Sequence, residues 1–232
     1  MARYTKAYSS LIVRLDEVET LRKIALIKER DDPIGNSQDI SALCRGAVVL
    51  LSSHVESYIK KIGELALDSL YTKNVSRSTL ASQFFYHISK AHINELKNTS
   101  DPSKISEKVF TLFQEDYEFW SRNGPFPKQI ECEQFNKGFS NPGFNKIGSY
   151  LRRFGYESYK NDLKQTLSSD YMAVTNMINH MVDTRNKIAH GDPILGKTPS
   201  EIEDMVTLVK LFCVKTDSLF AGWWKQHYCG IR

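Results

Sequence analysis

The sequence is short of everything that would staple a fold or hold a metal. Its 232 residues include four cysteines and six histidines. Cys44, Cys132, Cys213 and Cys229 are dispersed without a CxxC pair, and the histidines complete no zinc spacing. A disulfide scaffold and a structural zinc domain are set aside on that ground. Cys44 and Cys213, in apolar helical contexts, are expected to be buried thiols. No metal and no cofactor is expected. There is no run of about 18 apolar residues, so no membrane span is expected. Arg14, Asp16, Glu17 and Glu19 interrupt the early apolar positions, which is wrong for a signal peptide, and a cytoplasmic protein is the simplest expectation. A large charge excess is also missing. The formal charge of +4 permits weak attraction to a polyanion without identifying one. No strand-like alternation and no internal repeat is found.

What the chain does have is helical periodicity. Leu11, Val13, Leu15, Val18, Leu21, Ile24 and Leu26 mark an amphipathic helix ending near Asp31-Asp32-Pro33. A second helix is expected from Asp39 or Ser41 to about Leu70. Its middle, Ala47-Val48-Val49-Leu50-Leu51, is apolar nearly all round, which predicts a central position in a bundle. One helix is expected over 78–97. Asp101-Pro102 opens the next, as N-cap and first-turn proline, with Ile105, Val109, Phe110, Leu112, Phe113, Tyr117 and Trp120 as its apolar residues. The Gly- and Pro-rich stretch 121–144 reads as an ordered loop anchored by Phe126, Phe135, Phe139 and Phe144. A short helix around Ile147, Tyr150, Leu151 and Phe154 closes at Gly155. A helix from about Ser169 to Ala189 stops at Gly191 and Pro193. Thr198, Pro199 and Glu201 form a capping box for a last helix to about Phe220, and the tail from Trp223 to Tyr228 is expected to cover a neighbouring surface. The fold class is all-α. The expected divisions are 1–97 and 146–220 as the two parts of a helical bundle, 98–145 as an aromatic insertion, and 221–232 as a tail.

Chemistry concentrates in Arg185-Asn186-Lys187-Ile188-Ala189-His190, directly before Gly191 and Asp192. On a helix, Val174, Ile178, Met181 and Ile188 form an inward stripe, and Asn179, Asp183, Asn186 and His190 a polar one. Arg185 and His190 differ by about 140° and about 7.5 Å along the axis. A guanidinium holds phosphate through a planar fork, and an imidazole exchanges protons near neutral pH. That pair suits RNA cleavage by 2′-hydroxyl attack, but one helix supplies one imidazole. Two helices facing across a two-fold axis would supply two. The competing structural reading pairs Arg185 with Glu56 or Asp183 and lets His190 cap its own helix end. Lys146, Arg152, Arg153 and Lys187 are the candidate RNA-backbone contacts, with a solvated face as their alternative. His54, His87, His92 and His180 belong to no constellation.

The motif resembles the Arg-x(4–6)-His motif of the HEPN superfamily, with a polar residue after the Arg and Gly191 following. The stretch from Arg45 to Lys60 resembles the first core helix of the MAE_28990/MAE_18760-like and RiboL-PSP-HEPN branches, as does Leu151-Arg152-Arg153-Phe154-Gly155. The similarity covers roughly 40–215 outside 98–145. It implies a HEPN-like helical bundle with an inserted helical and loop region. It implies a homodimer whose motifs line one cleft, with Arg185, His190 and Asn186 catalytic and Glu56 and Asp183 in support. Many relatives are metal-independent endoribonucleases of antiviral defence or toxin–antitoxin systems, leaving 2′,3′-cyclic phosphate and 5′-hydroxyl ends. RNA is then the substrate, and an antitoxin or defence-system protein a further partner. Other relatives are non-catalytic scaffold domains, the alternative for this chain.

Overall fold

A computed structural model describes residues 4–121, 123–191 and 196–231. It is all-helical, with no strand among the described residues. Two long antiparallel helices, α1 (Lys6–Asp31) and α2 (Ser37–Thr72), open the chain. Thr5 caps α1 by accepting from the Tyr8 N–H. Val48 and Leu51 of α2 are fully buried, as its apolar middle requires.

The helix expected over 78–97 is broken. A 3₁₀ turn (Arg77–Thr79) is followed by α3 (Ser82–Ile88) and α4 (Lys90–Lys97), with Ser89 ending one and starting the other. The break has a tertiary cause. The Ser89 hydroxyl is buried and accepts from Trp120 Nε1 at 2.7 Å. α5 (Pro102–Trp120) starts at the Asp101 cap and its first-turn proline, as the sequence predicts. Arg77, itself buried, donates to the Glu118, Asn123 and Gly124 carbonyls and so ties down the C-terminal end of α5. Phe126, Phe135, Phe139 and Phe144 are all buried, as expected of packing anchors. Phe135 belongs to the short α6 (Cys132–Asn136).

α7 (Phe144–Arg152) closes near Gly155, whose φ of +96° suits glycine. α8 (Tyr159–Leu167) has no counterpart in the sequence reading, although Tyr159, Leu163 and Leu167 sit at helical spacing and are buried. α9 (Tyr171–Ala189) carries the Arg–His motif, and α10 (Pro199–His227) begins with the full capping box. α10 runs two turns beyond the expected end at Phe220. Trp224 is fully buried with its Nε1 on Ser69 Oγ at 3.0 Å, and Trp223 lies flat on Tyr156. The residues expected as a tail are thus largely the end of this helix, packed on their own chain. Cys44 and Cys213 are buried thiols, as predicted.

Cross-helix contacts fix the directions. α10 runs parallel to α2, because Tyr58 donates to the Cys213 carbonyl and Trp224 meets Ser69 further along. α1 opposes both: Arg22 pairs with Glu203 near its end, and Thr5 donates to Asp217 at its start. α9 opposes α10, since Tyr171 and Phe212 both pack on Phe144 while His180 lies 3.2 Å from Lys197. The C-terminal end of α9 therefore points toward the α1–α2 turn. The insertion packs on the other half of α2, where Gln129 meets Asp68 and Asn141 meets Glu56.

The α4–α5 pair is clamped by His92, whose ring nitrogens lie 3.0 Å from Asp116 and 3.2 Å from Glu115. The carboxylates come from the neighbouring helix, which corrects the expectation that His92 has none beside it. The hydrogen bond that His92 donates to Asp116 raises the His92 pKa against the opposing effect of burial, and the charges of Asp116, Glu115 and Glu95 add to the rise. A raised folded-state pKa stabilises fully below the unfolded value of about 6.5 and is lost as pH climbs through the folded one. The denaturation midpoint should therefore fall as pH rises above about 6.5 more steeply in the wild type than in His92→Gln. Equal slopes in the two proteins would show that the clamp contributes nothing.

Candidate functional site

The last turns of α9 place the motif. Val174, Ile178 and Met181 are fully buried and Ile188 is half-buried against the core, so the predicted inward stripe holds the helix down. The opposite side reaches solvent. His190 is the C-cap residue, with its N–H on the Asn186 carbonyl, and its side chain is exposed. Gly191 follows at φ +79°, the left-handed conformation expected just after a helix end, and its N–H meets the Ile188 carbonyl. Pro193 and Asp192 lie outside the described residues.

Arg185 is half-buried and donates through Nη1 to Asn186 Oδ1 at 3.3 Å. Among the described residues, no carboxylate pairs with it. The amide oxygen of Asn186 thus steadies the guanidinium. A cation with no carboxylate paired to it among the described residues, about one and a half turns from an exposed imidazole, is an arrangement suited to an anion. The family described as RiboL-PSP-HEPN matches residues 9–222. The chain belongs to the RiboL-PSP-HEPN family.

No curated protein and no solved structure matches the chain. The family match opens within α1 and encloses the insertion, a wider span than the 40–215 expected from the motifs. Membership in RiboL-PSP-HEPN points to nuclease or other RNA-related function, and HEPN domains often dimerise and bind RNA. No described helix is long and apolar enough to cross a membrane.

The other site residues expected of a HEPN chain are not all gathered at the motif. The Glu56 carboxylate receives Lys60 Nζ at 2.6 Å and the Asn141 N–H at 2.7 Å, and no described contact joins it to Arg185. It opens instead on a cleft of about 340 Å³ between α1 and α2, with Arg14, His54, Lys60 and Lys61. Asp183 is exposed with no hydrogen bond or ion pair among the described residues, so it does not hold Arg185 either. Asn179, on the same polar stripe, accepts from the Phe144 N–H at 2.9 Å and anchors the start of α7. That role for Asn179 was not legible, because the partner lies 35 positions away.

The four proposed backbone contacts divide. Lys187 and Arg152 are exposed. Lys146 donates to the Ser140 carbonyl, and Arg153 to the Phe135 and Lys137 carbonyls while lying over the Tyr150 ring. Burial pulls the Arg153 pKa below its ordinary value. The same guanidinium helps hold His87 down to about 4, after burial and ahead of Lys90. Arg153 is thus a structural cation that ties the insertion to α7. Hydrogen bonds from a charged donor each contribute about 1.5–3 kcal/mol. Arg153→Ala should destabilise the fold by about that amount in urea denaturation and leave the salt slope of RNA binding unchanged. A shallower slope with unaltered stability would return Arg153 to the RNA-binding set.

Proposed function

We propose that this RiboL-PSP-HEPN chain is a metal-independent endoribonuclease, acting as a homodimer in antiviral defence or a toxin–antitoxin system. The observation that carries the reading lies at the C-terminal end of α9: an exposed His190 and a half-buried Arg185 steadied by Asn186, with no carboxylate paired to it among the described residues. In the proposed reaction, His190 of one copy takes the proton of a ribose 2′-hydroxyl. The resulting oxygen attacks the adjacent phosphorus, and the phosphorane charge is neutralised by Arg185. The P–O5′ bond then breaks, and the departing oxygen receives a proton from the second copy's imidazole. The products are a 2′,3′-cyclic phosphate and a 5′-hydroxyl. Asn186 holds Arg185 at the phosphate, and Lys187 and Arg152 are the remaining candidates for backbone contact. Glu56 and Asp183 support the site through the helices that carry them and not through a direct bond to Arg185.

General acid–base assistance is worth about 10²–10⁴-fold in rate, and a lost charge-stabilising donor about 3–4 kcal/mol. Arg185→Ala and His190→Ala should each nearly abolish cleavage of total RNA in EDTA, with unfolding midpoints unchanged. End-group analysis of the wild-type products should find cyclic phosphate. Normal cutting by either variant would remove the assignment. Stoichiometric partner binding without any cleavage would instead make the chain a HEPN scaffold domain.

A further inference from the structure

α5 has two apolar faces, and the chain covers only one of them. At about 100° per residue, Ile105, Leu112, Asp116 and Phe119 fall on one side. Phe119 is buried there, and Asp116 is buried against His92. Val109, Phe110, Phe113 and Tyr117 fall on an adjoining arc that no part of the chain covers. Phe110 and Phe113 are 63% exposed and Tyr117 is 67% exposed. Trp120 closes the arc, with its indole N–H held by Ser89 and its ring on Phe85.

This stripe cannot fold back onto its own core. The Asp101 cap, the His92 clamp and the Arg77 ties to the end of α5 fix the helix with that face outward. Large aromatics carry about 150–250 Å² each, so the uncovered area is on the order of 500 Å². That is the size of a functional patch on a monomer, against about 800 Å² per side in a standard interface.

The rim decides what fits. Beyond Phe110 the solvent side of α5 carries Glu107, Gln114 and Glu118, all exposed, with no Lys or Arg among them. Neither carboxylate has an ion pair among the described residues. Lys104 and Lys108 lie on the far side, with Lys108 at 3.9 Å from Glu95. An RNA backbone or an anionic membrane would meet those carboxylates. A second copy, packed antiparallel about a two-fold axis, would set Glu107 against Glu118 along one edge, and like charges there repel. We infer that the Val109–Trp120 face of α5 docks an amphipathic helix of a partner protein whose apolar stripe is flanked by Lys or Arg. The apolar stripe supplies the contact area and the Glu107–Glu118 rim selects the basic flank. This inference goes beyond the ribonuclease reading and does not depend on it.

The test uses the full chain and two fluorescein-labelled synthetic helical peptides. Both carry leucines at i, i+3, i+4 and i+7; one has lysine flanks and the other glutamate flanks. In anisotropy titrations at about 0.1 M salt, where surface charges still act over about 10 Å, the lysine peptide should bind at least about tenfold tighter. Phe113→Ser should weaken that binding by about tenfold or more, and Glu107→Lys with Glu118→Lys should invert the preference. Circular dichroism checks that each variant is folded, and Phe113→Ser should cleave RNA as the wild type does. No binding, equal binding of the two peptides, or binding indifferent to Phe113→Ser overturns the inference. So does loss of a dimer on sedimentation of Phe113→Ser, which would make the stripe a contact between copies. Weakened RNA binding by that variant would overturn it in favour of base stacking.

Discussion

The constraint on which the rest of this structure depends is the need to cover the broad apolar surface of α2. Its 36 residues span about 54 Å, and its middle is apolar nearly all round. Such a helix needs neighbours over most of its circumference, and here only Val49 of the apolar middle is left exposed. α1 takes one face, α10 runs alongside in parallel, and α9 returns against them. The insertion and α7 take the second half. Gly63 shows how close that approach is: a Cβ there would meet the Tyr150 hydroxyl at 2.2 Å and the Phe154 ring at 2.8 Å. Once those neighbours are placed, the direction of α9 is settled, and with it the end of the bundle at which Arg185 and His190 emerge.

The sequence was most legible where structure is local. The start of α5, the capping box of α10, the glycine after α9 and the inward stripe of α9 all depend on residues within one or two turns of each other. The family could be read from such local strings as well. Legibility failed where a distant partner decides. Ser89 breaks a helix because Trp120, 31 positions on, claims its hydroxyl. Glu56 has the composition of a catalytic support, yet its carboxylate goes to a backbone N–H in the insertion. Arg153 and Lys146 look like phosphate ligands by charge, and the fold also gives each a main-chain carbonyl partner that the sequence did not announce. A sequence reports the valence of a side chain; only the fold reports whether that valence is already spent.

His92 illustrates the same limit. It stands five positions after His87 in a stretch with no carboxylate pair of its own. The fold brings Glu115 and Asp116 to it and buries His87 among rings, so two similar residues are driven in opposite directions: His92 toward the imidazolium, His87 toward the neutral base. Charge on the first is part of how α5 is attached. Charge on the second would meet repulsion, since the cations Arg153 and Lys90 are its ionic neighbours.

The two chemistries of this chain are therefore held apart along α2. Cations without carboxylate partners emerge at the end reached by α9, where a polyanion gains most. Carboxylates and bare aromatics face outward on α5, which the C-terminal half of α2 and its attached insertion support. A net charge of +4 hides this separation, because it averages a face suited to phosphate with a face that repels it. The separation also has a consequence for selection. Residues on the outer face of α5 can vary without touching Arg185 or His190, since α5 packs on α3 and α4, at the other half of α2 from the motif. The outer face of α5 and the motif end of α9 can then change independently within one bundle.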